Sequence, residues 1–422
     1  MLASEIFTPG TIPKYTYNPR TTHGLEEQVK DYLSTGGSVL VVSGPTKSGK
    51  SVLIDKIVGP LGIVVSGGKI QKYGDFWSDI LTELDLPISE IKQKKVETTE
   101  TLEGIAESGI NVLVAKAGGS VRASSGSTTG KTDIQVRGGS PQSQAINGLL
   151  DTQKILVIDD FHYIKPSIQQ IIVRSLKNPI LRGLRVIVIA VPHKAFDIIR
   201  GEREMTGRVR DLKIPPWTQT ELVDIANFGY PRLNMKVSPE TIGNFATESF
   251  QSPNLMQEFC LNFCKMCGVK ETLDKETIFE KVSEDSLVSF YKHIRQQVMH
   301  SDEFDRLASG PKEHGRERTK YTFSDDKIYD SYIGVLLAIA KTGPKDTIKL
   351  TELRRVFASL LKRGEAAPTS QNLSRVLTQM TAIAKKNAGT GNPVIDWERE
   401  TSQLFVLDPY FSFYLRWEIA KK

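Results

Sequence analysis

The sequence contains few cysteines and histidines and no long apolar run. Among its 422 residues are three cysteines and six histidines. An odd number of cysteines, all within residues 260–267, argues against a disulfide framework, and the histidines form no HExxH-like pair. No apolar run reaches the roughly 18 residues that a bilayer span requires, and the opening MLASEIFTPG lacks the basic and apolar regions of a secretory signal. We therefore expect a cytoplasmic protein with no membrane contact.

The three cysteines allow two interpretations. Cys260, Cys264 and Cys267 have the C-x3-C-x2-C spacing of the radical-SAM iron–sulfur signature. The same residues lie at i, i+4 and i+7 of a segment with helical periodicity, which is the core-facing stripe of an amphipathic helix. Buried cysteine behaves as a small hydrophobic residue. The helical pattern favours the core interpretation, and a metal cluster is the alternative.

The overall composition is that of an ordinary globular protein. Hydrophobic residues make up 39% and charged residues 25% of the chain, which excludes general disorder. The chain exceeds the roughly 250 to 300 residues that one hydrophobic core supports, so two or three domains are indicated. The formal net charge is +6, from 55 Lys and Arg against 49 Asp and Glu. Because this excess is small for the length, its position along the chain matters more than its size.

The first half of the chain alternates between strand-like and helical segments. Apolar runs at residues 38–43, 154–158 and 184–190 are separated by segments with helical spacing. This alternation predicts an α/β fold, with a parallel sheet and helices on both of its faces. A glycine-rich stretch at residues 118–139 interrupts the pattern. We interpret it as an inserted hairpin or mobile loop, and a disordered surface loop is the alternative.

The second half is dominated by helical periodicity. Helical segments at residues 328–342, 350–362 and 370–387 precede two strand-like runs within residues 393–406. Three helices and a β-hairpin form the winged-helix pattern, a variant of the helix-turn-helix. The predicted domains are residues 1–215 with an insertion at about 90–145, a helical domain at 216–300, a basic linker at 301–327 and a winged helix at 328–422.

A phosphate-binding motif follows the first predicted strand. The sequence GPTKSGKS at residues 44–51 matches G-x-x-x-x-G-K-[ST] in full and precedes a helical segment, as a P-loop requires. Gly44 and Gly49 allow the tight turn that directs backbone N–H groups at phosphate oxygens. We expect Lys50 to neutralise the β- and γ-phosphates of ATP and Ser51 to place its hydroxyl on Mg²⁺. The residues predicted to contact the nucleotide are Gly44, Pro45, Thr46, Lys47, Ser48, Gly49, Lys50, Ser51 and Val52.

The second half of this site is predicted where another strand ends. In ILVIDDFH, residues 155–162, four apolar residues precede Asp159 and Asp160. An unpaired charge at the end of a buried strand is costly, so two adjacent carboxylates there indicate a functional role. We expect Asp159 to join the Mg²⁺ shell through water and Asp160 to polarise the attacking water in hydrolysis.

Together these motifs resemble the AAA+ and STAND group of P-loop ATPases. The resemblance rests on GPTKSGKS, ILVIDDFH, the third strand VIVIA, Arg208 before a strand-like run at residues 209–214, and a helical tail that begins PPWTQTELVDIA. It is nearest to the branch that includes origin-recognition-like and transposition-associated ATPases, which end in a winged helix. It implies a P-loop NTPase parallel sheet core with a helical lid and a C-terminal winged-helix domain.

The resemblance also implies roles for residues outside the two motifs. In the family, an arginine from a neighbouring subunit often reaches the γ-phosphate, and by position Arg208 is the match, with Arg210 as the second candidate. The alternative is that both are solvated charges beside a strand. His193 stands where the family has a phosphate-sensing residue, and SPNL at residues 252–255 lacks the lid arginine common in the family. That loss favours a slow or partner-stimulated ATPase over a motor.

The positive charge is concentrated toward the C-terminus. Residues 301–422 contain 20 Lys and Arg against 16 Asp and Glu, whereas residues 1–300 contain 35 against 33. The excess falls on the second and third helices of the predicted winged helix, where that motif meets DNA. The candidate contacts to duplex DNA are Arg354, Arg355, Lys362, Arg363, Arg375, Lys385 and Lys386. The alternative is that the winged helix docks a protein and these residues form a solvated face.

These observations predict an ATP-binding and hydrolysing switch with ATP and Mg²⁺ as cofactors. We expect it to form homo-oligomers or to engage a protein partner or effector chain in an ATP-dependent way, in a bacterial DNA-associated or anti-phage defence process. The alternative is a DNA-binding initiator or transposition-type regulator whose winged helix contacts duplex DNA.

Overall fold

The computed structural model describes most of the chain. The described residues are 1–87, 140–191, 207–297, 301–311, 318–343, 345–388 and 393–418. The glycine-rich stretch at residues 118–139, interpreted as a hairpin or loop, and His193, which departs from the family's phosphate-sensing residue at that position, lie outside them.

The N-terminal part of the chain forms a five-stranded parallel sheet. Its order is β2-β3-β4-β1-β5. The elements are α1 (Ala3–Ile6), α2 (Leu25–Thr35), β1 (Val39–Ser43), α3 (Lys50–Val58), β2 (Gly62–Ser66), α4 (Tyr73–Glu83), α5 (Pro141–Asp151), β3 (Ile155–Asp159), α6 (Pro166–Leu181), β4 (Arg185–Ala190) and β5 (Val209–Lys213). The four predicted strands are present. Strand β2 was not predicted; it lies at the edge of the sheet, begins with a glycine and directly follows the turn that ends α3, so it lacks the fully buried apolar run of β1.

Alternate residues of β1, an interior strand, pack on opposite faces of the sheet. Val39 and Val41 lie in one core with α4, α5 and α6, whereas Leu40 and Val42 lie in another core with α2 and α3. This division follows from the two-residue period of a strand and explains why the first four residues of β1 are all apolar. The predicted α/β fold class is confirmed.

A helical lid, residues 219–297, follows the sheet. Its elements are α7 (Gln219–Gly229), β6 (Met235–Val237), α8 (Pro239–Glu248), α9 (Pro253–Met266), β7 (Thr277–Phe279) and α10 (Glu284–Gln297). The lid core also contains Ile6 and Phe7 from the N-terminus, although residues 1–215 were expected to form one domain. Gly229 permits this approach, because a Cβ at that position would lie 2.3 Å from the Phe7 ring.

The cysteines lie in the lid core. Cys260 and Cys264 are buried in α9, and Cys267 is half-buried at its C-terminal cap. Burial raises the pKa of Cys267 to about 11, so its thiol stays protonated near neutral pH. The core interpretation is confirmed for Cys260 and Cys264. Within the described residues, no group of three or more His, Cys, Asp or Glu side chains is arranged to hold a metal ion.

The described part of the C-terminal domain combines five helices with a small antiparallel sheet of order β10-β12-β11. Its elements are α11 (Ser301–Ser309), β8 (Lys320–Thr322), β9 (Ile328–Asp330), α12 (Ser331–Lys341), β10 (Thr347–Lys349), α13 (Leu350–Leu360), α14 (Ser370–Ala388), β11 (Ile395–Glu398), β12 (Gln403–Val406) and α15 (Pro409–Glu418). Helices α12, α13 and α14 with the β11-β12 hairpin form the winged-helix arrangement.

The segment expected to be a linker is folded where the structure describes it. Leu307 of α11, Tyr321 of β8 and nearby Phe323 are buried in the core of the C-terminal domain. The expectation of a linker was wrong for these residues. The many charged residues make the segment polar on average, but three apolar side chains are enough to fix it to a core.

Candidate functional site

The phosphate loop, residues 44–49, leaves the carboxyl end of β1 and leads into α3. Gly44 lies against Ile214, and a Cβ added to it would be 2.8 Å from the Ile214 Cβ, a distance that real Cβ atoms do not show. Gly49 has a φ of +89°, a conformation that favours glycine. The geometry of the loop therefore depends on both glycines of the motif.

Lys50 is the first residue of α3, and its ammonium group is held by the loop itself. Its Nζ donates hydrogen bonds to the carbonyl oxygens of Gly44 at 2.9 Å and Pro45 at 2.6 Å. Burial lowers the pKa of Lys50 to about 8, although Asp159 and Asp160 favour the charged form. A buried ammonium bonded to neutral carbonyls gains a stronger, charge-assisted partner when a phosphate oxygen replaces them.

Ser51 and Asp159 meet beside the phosphate loop. The Ser51 Oγ donates a hydrogen bond to the Asp159 Oδ2 at 2.6 Å, although the two residues are 108 positions apart. The parallel sheet brings them together, because β1 and β3 both end at the same edge. A hydroxyl and a carboxylate side by side fit Mg²⁺, which takes oxygen ligands and completes its shell with phosphate and water.

Asp160 has a different environment from its neighbour. Its backbone is in the left-handed conformation, with a φ of +54°, and its N–H donates to the Asp159 Oδ1 at 2.8 Å. Burial and then the nearby Asp159 charge raise the pKa of Asp160 to about 6, against the effect of Lys50. A carboxylate with this pKa can accept a proton near neutral pH, as a general base requires.

The two aspartates are positioned by a glycine that the sequence motifs do not include. Gly67 follows β2, and a Cβ added to it would lie 2.3 Å from the Asp160 carbonyl oxygen and 3.2 Å from that of Asp159. The ends of β2 and β3 therefore approach more closely than any side chain at residue 67 would allow.

Trp217 and Arg20 connect the phosphate loop to the lid, and sequence reasoning missed both. The Trp217 indole Nε1 donates to the Ser48 carbonyl oxygen at 2.9 Å. The Arg20 guanidinium stacks on the Trp217 ring, 4.7 Å from its centroid, and forms a bidentate pair with Glu221 of α7. Arg20 also donates to the carbonyl oxygens of Pro215 and Pro216. The buried Arg20 thereby fixes the junction between sheet and lid.

An N-terminal strap, residues 8–20, covers a cavity of about 630 Å³ above the phosphate loop. Lid helix α9 holds the strap. The Asn254 Oδ1 accepts from the Gly10 N–H at 2.7 Å, and Gln257 bonds to the Thr8 N–H and the Thr16 hydroxyl. Pro253 and Asn254 of the SPNL segment thus line the cavity, and the Asn254 side chain binds the strap where the resemblance led us to expect a lid arginine.

Arg208 lies at the far end of the sheet from the phosphate loop. Its carbonyl oxygen accepts from the N–H of Val39, the first residue of β1, whereas the loop follows the last residue of that strand. Five strand residues separate the two ends by about 15 Å, so Arg208 cannot reach the phosphates of its own subunit. Arg210, the second candidate, forms an ion pair with Asp31 of α2 at 2.8 Å.

The seven candidate DNA contacts are exposed residues of α13, α14 and their flanking turns. Three of them have intramolecular partners: Arg354 donates to the Pro368 carbonyl, Lys362 pairs with Asp326, and Lys385 pairs with Asp396. No hydrogen bond or ion pair with the described residues involves the other four, which are Arg355, Arg363, Arg375 and Lys386. Helix α14 contains no Asp or Glu, so its exposed face is positive.

The fold is similar to those of several solved structures. A Walker-type ATPase of Pyrococcus abyssi matches with a TM-score of 0.52 at 14% identity, over 93% of this chain and 95% of that one. The Cdc6p structure of Pyrobaculum aerophilum has a TM-score of 0.43 at 11% identity and covers 99% of this chain and 98% of its own. The Aeropyrum pernix Orc1 protein in complex with DNA has a TM-score of 0.46 at 10% identity, over 99% of this chain and 96% of that one.

At these identities the likeness describes the fold alone. No protein-family model and no curated protein matches the chain. The predicted fold, a parallel sheet core with a phosphate loop and a helical lid, is confirmed. In the described part of the chain, no helix combines the length and apolar character needed to cross a bilayer.

Proposed function

We propose that the protein binds ATP with Mg²⁺ and hydrolyses it slowly, or when a partner stimulates it, as an AAA+/STAND-like switch. The observation that carries this proposal is the 2.6 Å contact between Ser51 and Asp159 next to the buried Lys50 ammonium. Lys50 would bind the β- and γ-phosphates, and Ser51 and Asp159 would hold Mg²⁺, which neutralises phosphate charge. Asp160, with its raised pKa, would accept the proton of the attacking water.

The test of the ATP site is Lys50→Ala, measured by ATP binding and by phosphate release. Loss of the ammonium should abolish binding or turnover, because no other lysine of the phosphate loop points at its carbonyls. Lys30→Ala is the matched control, since Lys30 is 58% exposed on α2 and, among the described residues, pairs only with Glu26. Unchanged turnover in Lys50→Ala would remove the basis of the proposal. Asp160→Asn should still bind ATP but hydrolyse it slowly.

We further propose that a neighbouring copy of the chain supplies Arg208 to the phosphates. The geometry limits the possibilities: Arg208 lies about 15 Å from its own phosphate loop, so any contact it makes with ATP must be with the ATP of a neighbouring copy. Mixing Arg208→Ala with Asp160→Asn tests this, because the second variant retains Arg208 and the first retains a complete carboxylate pair. Mixed samples should hydrolyse more ATP than the two separate samples together. Strict additivity would contradict a role between subunits.

A second candidate function is duplex-DNA binding by the winged helix, favoured by the carboxylate-free α14. Replacing Arg355, Arg375 and Lys386 with Glu should weaken DNA binding. The slope of log K against the logarithm of the salt concentration should also become less steep, by about 0.9 for each lost phosphate contact. Lys236→Glu, an exposed change in the lid, is the control. If DNA stimulates hydrolysis and the triple variant abolishes this, the initiator or transposition role is supported. ATP-dependent oligomers that are indifferent to DNA would support a defence-type switch with a protein partner.

A further inference from the structure

Lys47 has an unusual backbone conformation within the phosphate loop. Its φ is +58°, in the left-handed region that non-glycine residues adopt at a cost of about 1 kcal/mol. Glycine would be more stable at this position. A side chain that persists in such a conformation indicates contacts that offset the cost.

The Lys47 side chain reaches the C-terminal domain. Its Nζ lies 3.0 and 3.1 Å from the two carboxylate oxygens of Asp408 and 4.1 Å from the ring centroid of Tyr410. The Asp408 side chain is only 15% exposed and that of Lys47 31%. Partial burial reduces screening of the ion pair, and the aromatic ring adds a cation–π interaction.

The acceptor of this contact is itself held firmly. Asp408 caps α15, since its Oδ1 accepts from the Tyr410 N–H at 2.8 Å. Helix α15 packs with Phe411 in the core of the C-terminal domain and with Phe413 and Trp417 in the core of the lid. Lys47 therefore joins the phosphate loop to a helix that cannot move independently of two domains.

We infer that Lys47, Asp408 and Tyr410 form a latch through which phosphate binding and the position of the winged-helix domain control each other. The inference rests on the proposed ATP site. A phosphate that binds Lys50 displaces the Gly44 and Pro45 carbonyls, which lie three and two residues from Lys47, so the loop rearranges and the latch loosens. By linkage, the closed latch must then weaken ATP binding by the same factor. The latch is a partly exposed ion pair with a cation–π contact. We therefore expect it to change the affinity for ATP about three- to tenfold.

The test is equilibrium titration of the full chain with a fluorescent ATP analogue and Mg²⁺. Asp408→Asn removes the charge while Asn still caps α15, and Lys47→Gly removes the side chain in a conformation that glycine prefers. Each should raise affinity about three- to tenfold, and the double variant should gain no more than the stronger single one. Asp325→Asn, which neutralises an exposed carboxylate of the same domain that pairs with Lys327, should retain wild-type affinity.

The possible outcomes separate the latch from other causes. Wild-type affinity in both variants would overturn the latch. A gain in Lys47→Gly alone would also overturn it, because relief of backbone strain would then suffice. Additive gains would show that the two residues act on the loop separately. If neither the wild type nor Lys50→Ala binds the analogue, the ATP site itself is refuted, and the latch with it.

Discussion

Replacing Gly67 with alanine tests whether the close approach of β2 sets the geometry of the two aspartates. The new Cβ would lie 2.3 Å from the Asp160 carbonyl oxygen and 2.9 Å from its carbonyl carbon. Ordinary van der Waals contact begins at 3.4 Å, so the backbone of the aspartates or of residue 67 must move by about 1 Å. Both partners are main-chain atoms, and no side-chain rotation can relieve the overlap.

The expected effect on catalysis exceeds the effect on stability. Overpacking of this kind lowers the free energy of unfolding by about 1 to 3 kcal/mol. Misplacing reacting groups by about 1 Å lowers rates by about 100-fold. The same shift lengthens the 2.6 Å contact between Ser51 and Asp159, so the Mg²⁺ concentration needed for half-maximal turnover should rise.

The assay is phosphate release at saturating ATP across a Mg²⁺ titration, with urea unfolding measured in parallel. Gly74→Ala is the matched control, because Gly74 lies in α4 and a Cβ there meets nothing within 4 Å. It should leave turnover unchanged and should not destabilise the protein. Wild-type turnover and Mg²⁺ dependence in Gly67→Ala would refute the argument that this approach positions the carboxylates.

Three further predictions concern the same site. The kcat/KM should rise through about pH 6 as Asp160 ionises and fall through about pH 8 as Lys50 loses its charge. Asp160→Asn should remove the rise near pH 6. If the rise persists in that variant, it comes from titration of ATP itself. Trp217→Phe keeps the ring but loses the bond to the Ser48 carbonyl, so titration should show about fivefold weaker ATP binding, from about 1 kcal/mol; unchanged affinity would contradict a role for the indole N–H. Arg20→Ala leaves the Glu221 carboxylate, which is 12% exposed, without its main partner. Urea titration should show that the free energy of unfolding falls by about 3 kcal/mol. A loss below about 1 kcal/mol would mean that water replaces the guanidinium.

The sequence predicts the sheet and the phosphate loop well because both depend on local patterns. A strand buried on both faces needs consecutive apolar residues, and β1, β3 and β4 have them. The phosphate loop needs glycines at fixed spacing, which the motif supplies. Asp159 could be placed near Ser51 because parallel strands end at a common edge.

Residues that act through long-range contacts could not be predicted in this way. Gly67 differs from other glycines only because the β3 backbone passes beside it. Arg20 looks like any charged residue after a proline, and its role depends on Glu221, 201 positions away. Trp217 offered the one usable signal, since a tryptophan next to two prolines at a domain junction is rarely solvent-exposed.

Helix α15 shows how burial on two sides directs conformational change. Phe411 and Phe413 are two positions apart and so point to opposite sides of the helix, into the C-terminal domain and the lid respectively. Separating those domains would expose Phe413 and Trp417, at a cost of about 5 kcal/mol. Releasing Lys47 from Asp408 costs about 1 kcal/mol. Nucleotide binding is therefore expected to open the latch first and to leave the lid and the winged helix packed together through α15.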